Sequence, residues 1–296
     1  MAPQDLLLHV FCLIDDQLTA LHLPRLRRRG PDPTLTDSEV ITIELVGEFW
    51  GLDRDTAILR HFRAYHVAEF PALARISRTT FARQAANLWW VKERLRERLA
   101  AWLAAGQPVW LIDSLPVEAC KFARARFCQR LRGTADYGYD HGVKRTFYGF
   151  RLHVRASRDG VILEYALAPA RAGEKAVLAE LAPPVGTTGI GDRGYYDPVL
   201  RNRLAAVGVR FLTPYLHKSK EPDPARAARL SAVRYRLETV NGQLAERYHV
   251  KRMWARDRWH VCHRVGRKVL SHTVMIGVAV QNLRPPLSFV QLELAA

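Results

Sequence analysis

Negative charge, paired cysteines and long apolar runs are all scarce in this sequence, and each shortage excludes something. Only 29 aspartates and glutamates stand against 45 lysines and arginines, a formal charge of +16. An acidic, self-solvating chain is excluded, and a polyanionic partner is indicated. The four cysteines, at 12, 120, 128 and 262, include no CxxC pair, and the eleven histidines have no zinc-module spacing. They read as free thiols, not as a structural metal centre. Apolar stretches such as Leu6 to Ile14 and Val274 to Val280 fall short of the roughly 20 residues that cross a bilayer, so no membrane span is expected. The opening MAPQDLLLHVFCLIDD has no basic start and does not read as a secretion signal; a cytoplasmic location is expected.

What is present begins with 48% hydrophobic residues in 296, enough for one large domain or a small one beside a medium one. The charge is localised. Residues 1 to 114 are neutral, with 14 basic and 14 acidic side chains, whereas residues 115 to 155 carry 9 against 3 and residues 225 to 268 carry 12 against 3. A solvated surface mixes both signs; two concentrated basic blocks fit a phosphate backbone better. Tyr137, Tyr139, Phe147, Tyr148, Trp254 and Trp259 are interleaved with these charges, a pattern that suits base stacking as well.

Periodicity divides the chain into a helical first part, an alternating strand and helix part, and a short end: residues 1–106, 107–270 and 271–296. Residues 5 to 23 and 36 to 50 repeat apolar side chains at helical spacing, the second behind a capping box at Thr36 and Glu39. The linker PRLRRRGPDPT between them, with Arg25, Arg27, Arg28 and Arg29, suits a hinge or a phosphate-touching loop. The stretch ISRTTFARQAANLWW reads as a turn and a helix presenting Arg78 and Arg83, either a recognition helix or a packing helix. Beyond residue 107, PVWLID is a strand ending at Asp113. FYGFRLHVRAS and VILEYALAP form a hairpin around Arg158-Asp159-Gly160, GEKAVLAELA is a helix, and TTGIGD is a strand ending at Asp192. Asp197 before Pro198 caps a helix to about Ala206, VRFLTPY is a further strand, and a basic helix runs from Ala225 to Tyr248.

That order is the order of an α/β, RNase H-like mixed five-stranded sheet flanked by helices, with an all-helical N-terminal region. In such a sheet the first and fourth strands are neighbours, so Asp113 and Asp192, 79 residues apart, would meet at their ends. Two carboxylates forced together need a cation between them, and hard oxygen donors suit Mg²⁺ or Mn²⁺. Glu238 lies 46 residues later on the long helix; it is preferred over Glu246 because Leu237 and Val240 beside it look core-facing. Bland readings exist for each acid: Asp113 could cap the turn into Ser114, Asp192 could cap locally, and Glu238 could merely pair with Arg234.

The blocks LIDSLPV, YGFRLH, IGDRGY and RYRLETVNGQL resemble those of DDE transposases from bacterial insertion sequences, nearest to the nine-eighty-two family type, over most of residues 30 to 270. The resemblance implies an RNase H-like catalytic core, two divalent ions, and cutting and joining of DNA at terminal inverted repeats. It places the catalytic and metal-binding acids on Asp113, Asp192 and Glu238. Arg234 keeps its spacing to Glu238, but Ser231 and Ala245 stand where a related group has a tyrosine and a lysine, so those two roles do not carry over. Arg193, directly after an acid, suits contact with the scissile phosphate or bracing of a carboxylate. Lys144, Arg145, Arg151, Arg234, Arg247, Lys251, Arg252 and Arg256 are the further candidates for contact with double-stranded DNA, both the element's ends and the target. A homodimer on paired ends is expected. The rival readings are a catalytically silent DNA-binding derivative and an RNase H-like nuclease.

Overall fold

A computed structural model describes all residues except 25, 27–30, 182, 216–222, 254 and 294–296, and the side chains of 130 and 293. The expectations for Arg25, Arg27, Arg28, Arg29 and Trp254 therefore lie outside the described residues. The chain forms two compact units, one of residues 104–245 with 250–262, the other of residues 1–103 with 246–249 and 263–296.

In the first of these, β1 (Val109–Glu118) pairs antiparallel with β3 (Arg145–Ser157) and parallel with β5 (Thr188–Ile190), which pairs parallel with β6 (Arg210–Leu212). The outer edge of β3 takes β4 (Ile162–Pro169) and, nearer its start, the short β2 (Asp136–Asp140). Order β4-β3-β1-β5-β6 is the RNase H-like arrangement read from the sequence; β2 is a sixth strand added to it. The β3–β4 hairpin closes through Gly160 at φ 89, a left-handed conformation that glycine adopts without steric cost.

One face of the sheet buries Trp110, Ile112 and Phe211 against Leu178 of α6 (Glu174–Glu180) and Leu200 and Leu204 of α7 (Pro198–Ala206). Trp110 alone removes roughly 200 Å² of ring from water, about 5 kcal/mol of gross transfer free energy. Its indole needs Gly189 on β5, since a Cβ there would overlap the ring. Asp197 caps α7 as expected, accepting from Val199 N at 2.8 Å and Leu200 N at 3.2 Å. Leu230, Leu237, Val240 and Leu244 line one buried stripe of α8 (Pro224–Glu246).

The other unit gathers α1 (Pro3–Leu21), α2 (Asp37–Phe49), α3 (Asp55–Tyr65), α4 (Arg78–Asn87), α5 (Trp89–Leu103), residues 263–281 of α9 (Arg258–Gln281), and α10 (Val290–Glu293). Both arms of the capping box are made: Glu39 N donates to Thr36 Oγ1 at 3.1 Å, and Thr36 N donates to Glu39 Oε2 at 2.6 Å. Nearly every residue of α2 is buried, including Glu44 and Glu48. Arg267 of α9 answers both acids, reaching Glu48 Oε1 at 2.6 Å, Glu44 Oε1 at 3.1 Å and Asp55 Oδ1 at 2.8 Å. Lys268 reaches Glu48 Oε2 at 2.5 Å, and Lys92 of α5 reaches Glu44 Oε2 at 2.6 Å. Three cations thus satisfy three carboxylates. The division differs from the sequence reading, in which the core continued to residue 270 and 271–296 was an appendage. Residues from 263 onward belong with the N-terminal helices because Arg267 and Lys268 find their partners there.

Candidate active site

The β1–β5 register places the two aspartates. Leu111 lies opposite Ile190 in a parallel pair, so two residues further along each chain stand Asp113 and Asp192. Strand periodicity of two turns both toward the same side, and Asp192 indeed acts electrostatically on Asp113. Asp113 is not the last residue of its strand, as the sequence reading had it. β1 continues to Glu118 because β3 keeps pairing with it after β5 has ended.

Both aspartates are anchored. Asp113 Oδ1 accepts from Ser114 N at 2.8 Å, and its Oδ2 accepts from Asn241 Nδ2 of α8 at 3.1 Å. Asp192 Oδ1 accepts from Gly194 N at 2.8 Å, capping the single helical turn Arg193–Tyr195. The residue that caps this turn is therefore also the one that acts on Asp113. Burial pushes the Asp113 carboxyl up to about 6, and the like charges of Asp192 and Glu174 push the same way, against the Ser114 amide and Arg234.

Glu174, at the start of α6, is the residue that sequence reasoning missed. Its Oε1 accepts from Ser114 Oγ at 2.7 Å and lies 3.9 Å from Arg151 Nη1. A Cβ on Gly194 would overlap Glu174 Oε2 and press on Asp192 Oδ1. Arg151 ties the cluster together, donating from Nη1 to Ser114 Oγ at 3.3 Å and from Nη2 to the Tyr139 carbonyl at 2.6 Å. Beneath it the buried Tyr195 hydroxyl is 3.2 Å from His153 Nδ1. Burial and then Arg151 hold His153 down at about 4, so this imidazole is neutral near pH 7. The signal for Glu174 was the glycine after Asp192-Arg193, which leaves room for a side chain from elsewhere.

The other candidates fall in different surroundings. Glu238 is 55% exposed and 3.7 Å from Arg234, one turn before Asn241 on α8. Arg193, Lys144, Arg145, Arg252 and Arg256 are exposed; Arg145 pairs with Glu118, Arg256 lies 3.7 Å from Asp257, and Lys251 lies 3.9 Å from Asp140. In the other unit, Glu246 ends α8 in an exposed position, and the Arg247 guanidinium packs 4.7 Å over Phe49. Tyr137, Tyr139 and Trp259 are exposed, but Phe147 and Tyr148 are core residues. Arg78 and Arg83 are exposed on α4, which buries Phe81, Gln84 and Ala85.

Among the described residues, no three His, Cys, Asp or Glu groups are already gathered closely enough to hold a metal ion. The pair Asp113 and Asp192 fits a divalent cation in kind: hard oxygen donors only, one of them a carboxyl held high by burial and then by like charge, which a cation would relieve. A cation held by such a pair would neutralise charge at a phosphoryl group.

No curated protein matches the chain. A solved structure of the piggyBac transposase synaptic complex with hairpin DNA aligns at 9% identity with a TM-score of 0.48, covering 97% of this chain and 78% of that one. The family model described as "Transposase DDE domain" matches residues 104–258, which hold Asp113, Asp192 and Glu238. With more than half of its length in that match, the chain belongs to the DDE transposase family.

Proposed function

We propose that the chain cuts and rejoins DNA at the terminal inverted repeats of a bacterial insertion sequence of the nine-eighty-two type, by hydrolysis followed by strand transfer. The parallel pairing of β1 with β5, which brings together the two stretches carrying Asp113 and Asp192 inside the segment that matches the DDE domain, supports this reading. Asp113, Asp192 and Glu238 would hold two divalent ions, Mg²⁺ or Mn²⁺, which supply Lewis acidity and an activated oxygen nucleophile when bound. The chain's own groups prepare the site. Ser114 N and Asn241 fix the two oxygens of Asp113, and Gly194 N fixes Asp192. Glu238 has only an i,i+4 contact with Arg234 to give up, worth roughly 0.2–0.5 kcal/mol.

Arg193, Lys144, Arg252 and Arg256 are exposed and suited to backbone phosphates, with Arg145, Arg151, Arg234, Arg247 and Lys251 as the further set. A homodimer on paired ends completes the reading. The second reading, a catalytically silent DNA-binding derivative, is favoured by the one observation that Glu238 is turned to Arg234. Incubation with Mg²⁺ and a duplex carrying the DNA that flanks the gene separates the readings. Cuts at discrete ends with joined products support transposition. Sequence-independent degradation means a nuclease, and binding without cuts means the silent derivative.

A further inference from the structure

Between β1 and β3 the chain inserts residues 119–144, and this insertion carries rings that face water. Phe122 is 53% exposed, Tyr137 39% and Tyr139 43%, although each is large enough to be worth burying. They form one row. The Phe122 and Tyr137 rings meet edge to face at 6.0 Å, and Tyr137 and Tyr139 share a face of β2 because they are two residues apart. His141 extends the row, its ring 4.9 Å from that of Tyr139.

Phe122 also walls a cavity of about 810 Å³ whose lining includes Lys121 and Arg252, with Arg145 paired to Glu118 beside them. That size lies within the usual range of ligand pockets, about 300–1,000 Å³. Charge and ring together are what a nucleotide presents in reverse, an anionic phosphate and a flat base. The row is tied to the acids as well, because Arg151 holds the Tyr139 carbonyl and Ser114 Oγ at once. A continuous duplex offers its phosphates but keeps its base faces stacked on one another. Exposed rings beside cations therefore select DNA whose bases are free.

We propose that the Phe122–Tyr137–Tyr139 row and the adjoining cavity bind unpaired nucleotides of the DNA substrate, next to the aspartates. This rests on the DNA-processing reading above and names which form of DNA the site takes. The test uses the full chain in a chelating buffer, so that nothing is cut. Affinity is measured for a fluorescent duplex and for the same duplex with a short mismatched bubble containing 2-aminopurine.

The wild type is expected to bind the bubble more tightly and to quench the 2-aminopurine. Phe122→Ala and the double variant Tyr137→Ala with Tyr139→Ala should each weaken bubble binding roughly ten-fold, in line with base–aromatic stacking, with duplex affinity held. Phe122→Leu and Tyr139→Leu keep apolar bulk but lose the ring, and should reproduce the loss if the alanine variants misfold. Equal affinity for bubble and duplex in the wild type, or ring-free variants that keep the bubble preference, would overturn the proposal while leaving DNA binding intact. Lost self-association of the variants on light scattering, with bubble preference kept, would instead make the row a surface for a second copy and overturn it equally. A wild type that binds neither probe would instead sink the function proposed above.

Discussion

At the scale of single residues, the site is built by what one residue leaves for another. Gly194 has no side chain, and Glu174 occupies that space while holding Ser114, the residue after Asp113. Gly194→Ala is therefore expected to displace Glu174 and Asp192 together. Metal-dependent DNA cleavage should drop sharply with melting temperature nearly unchanged; an alanine variant that cleaves normally would mean that Glu174 and Asp192 do not need their places. Glu174→Gln keeps the shape but removes one of the like charges that push Asp113 up. It should lower the Asp113 pKa, measured by carboxyl NMR titration in the absence of metal. The meeting of the aspartates was legible in the sequence because each follows an apolar run of residues, and strand order makes β1 and β5 neighbours. Glu174 was not, because GEKA looks like an ordinary acidic first turn of a helix, and nothing local tells a side chain facing water from one facing Ser114.

At the scale of elements, α2 and α9 are held by buried ions, and this too was hidden from the sequence. Glu44 and Glu48 repeat every fourth residue and look like a polar face, yet both are 1% exposed. Arg267 and Lys268 counted toward a basic block awaiting phosphate, yet both are buried on the carboxylates of α2. Arg267→Met removes the shared partner of Glu44, Glu48 and Asp55. It should cost about 3–5 kcal/mol, read as a lower urea midpoint. An unchanged midpoint would mean that Lys92 and Lys268 neutralise the acids unaided.

The same cluster sets a pH dependence. Burial would raise Glu44, but Lys92, Arg267 and His263 hold it at about 2, below its ordinary 4.5. Burial, then Lys92, holds His263 at about 4, below its ordinary 6.5. Both folded values are depressed, so the unfolded chain takes up protons first. Glu48, Asp55 and Lys268 also face this cluster, and Asp53 acts on Lys268. Stability is expected to fall from about pH 6.5 downward as His263 is affected, and further below about 4.5 as Glu44 is. Thermal melts at stepped pH measure this, and a flat profile across that window would contradict it.

For the whole molecule, the count of 45 lysines and arginines overstates what DNA can use, because Arg155, Arg267 and Lys268 are buried and paired. The exposed Lys144, Arg193, Arg252 and Arg256 are the better measure. Neutralising these four should weaken binding to every DNA sequence and flatten the salt slope by about 0.9 for each one that contacts phosphate. Composition reveals the sign of the partner, but which charges reach it depends on long-range pairing that composition cannot record. The most direct test of the account is strand cleavage by Asp113→Asn and Asp192→Asn, assayed in Mn²⁺ on DNA that flanks the gene, with binding followed in parallel. Each amide keeps the shape and one acceptor oxygen but removes the charge a cation needs. The expected result is cleavage reduced to background with DNA affinity retained. Cleavage by either variant at the wild-type rate would contradict the account.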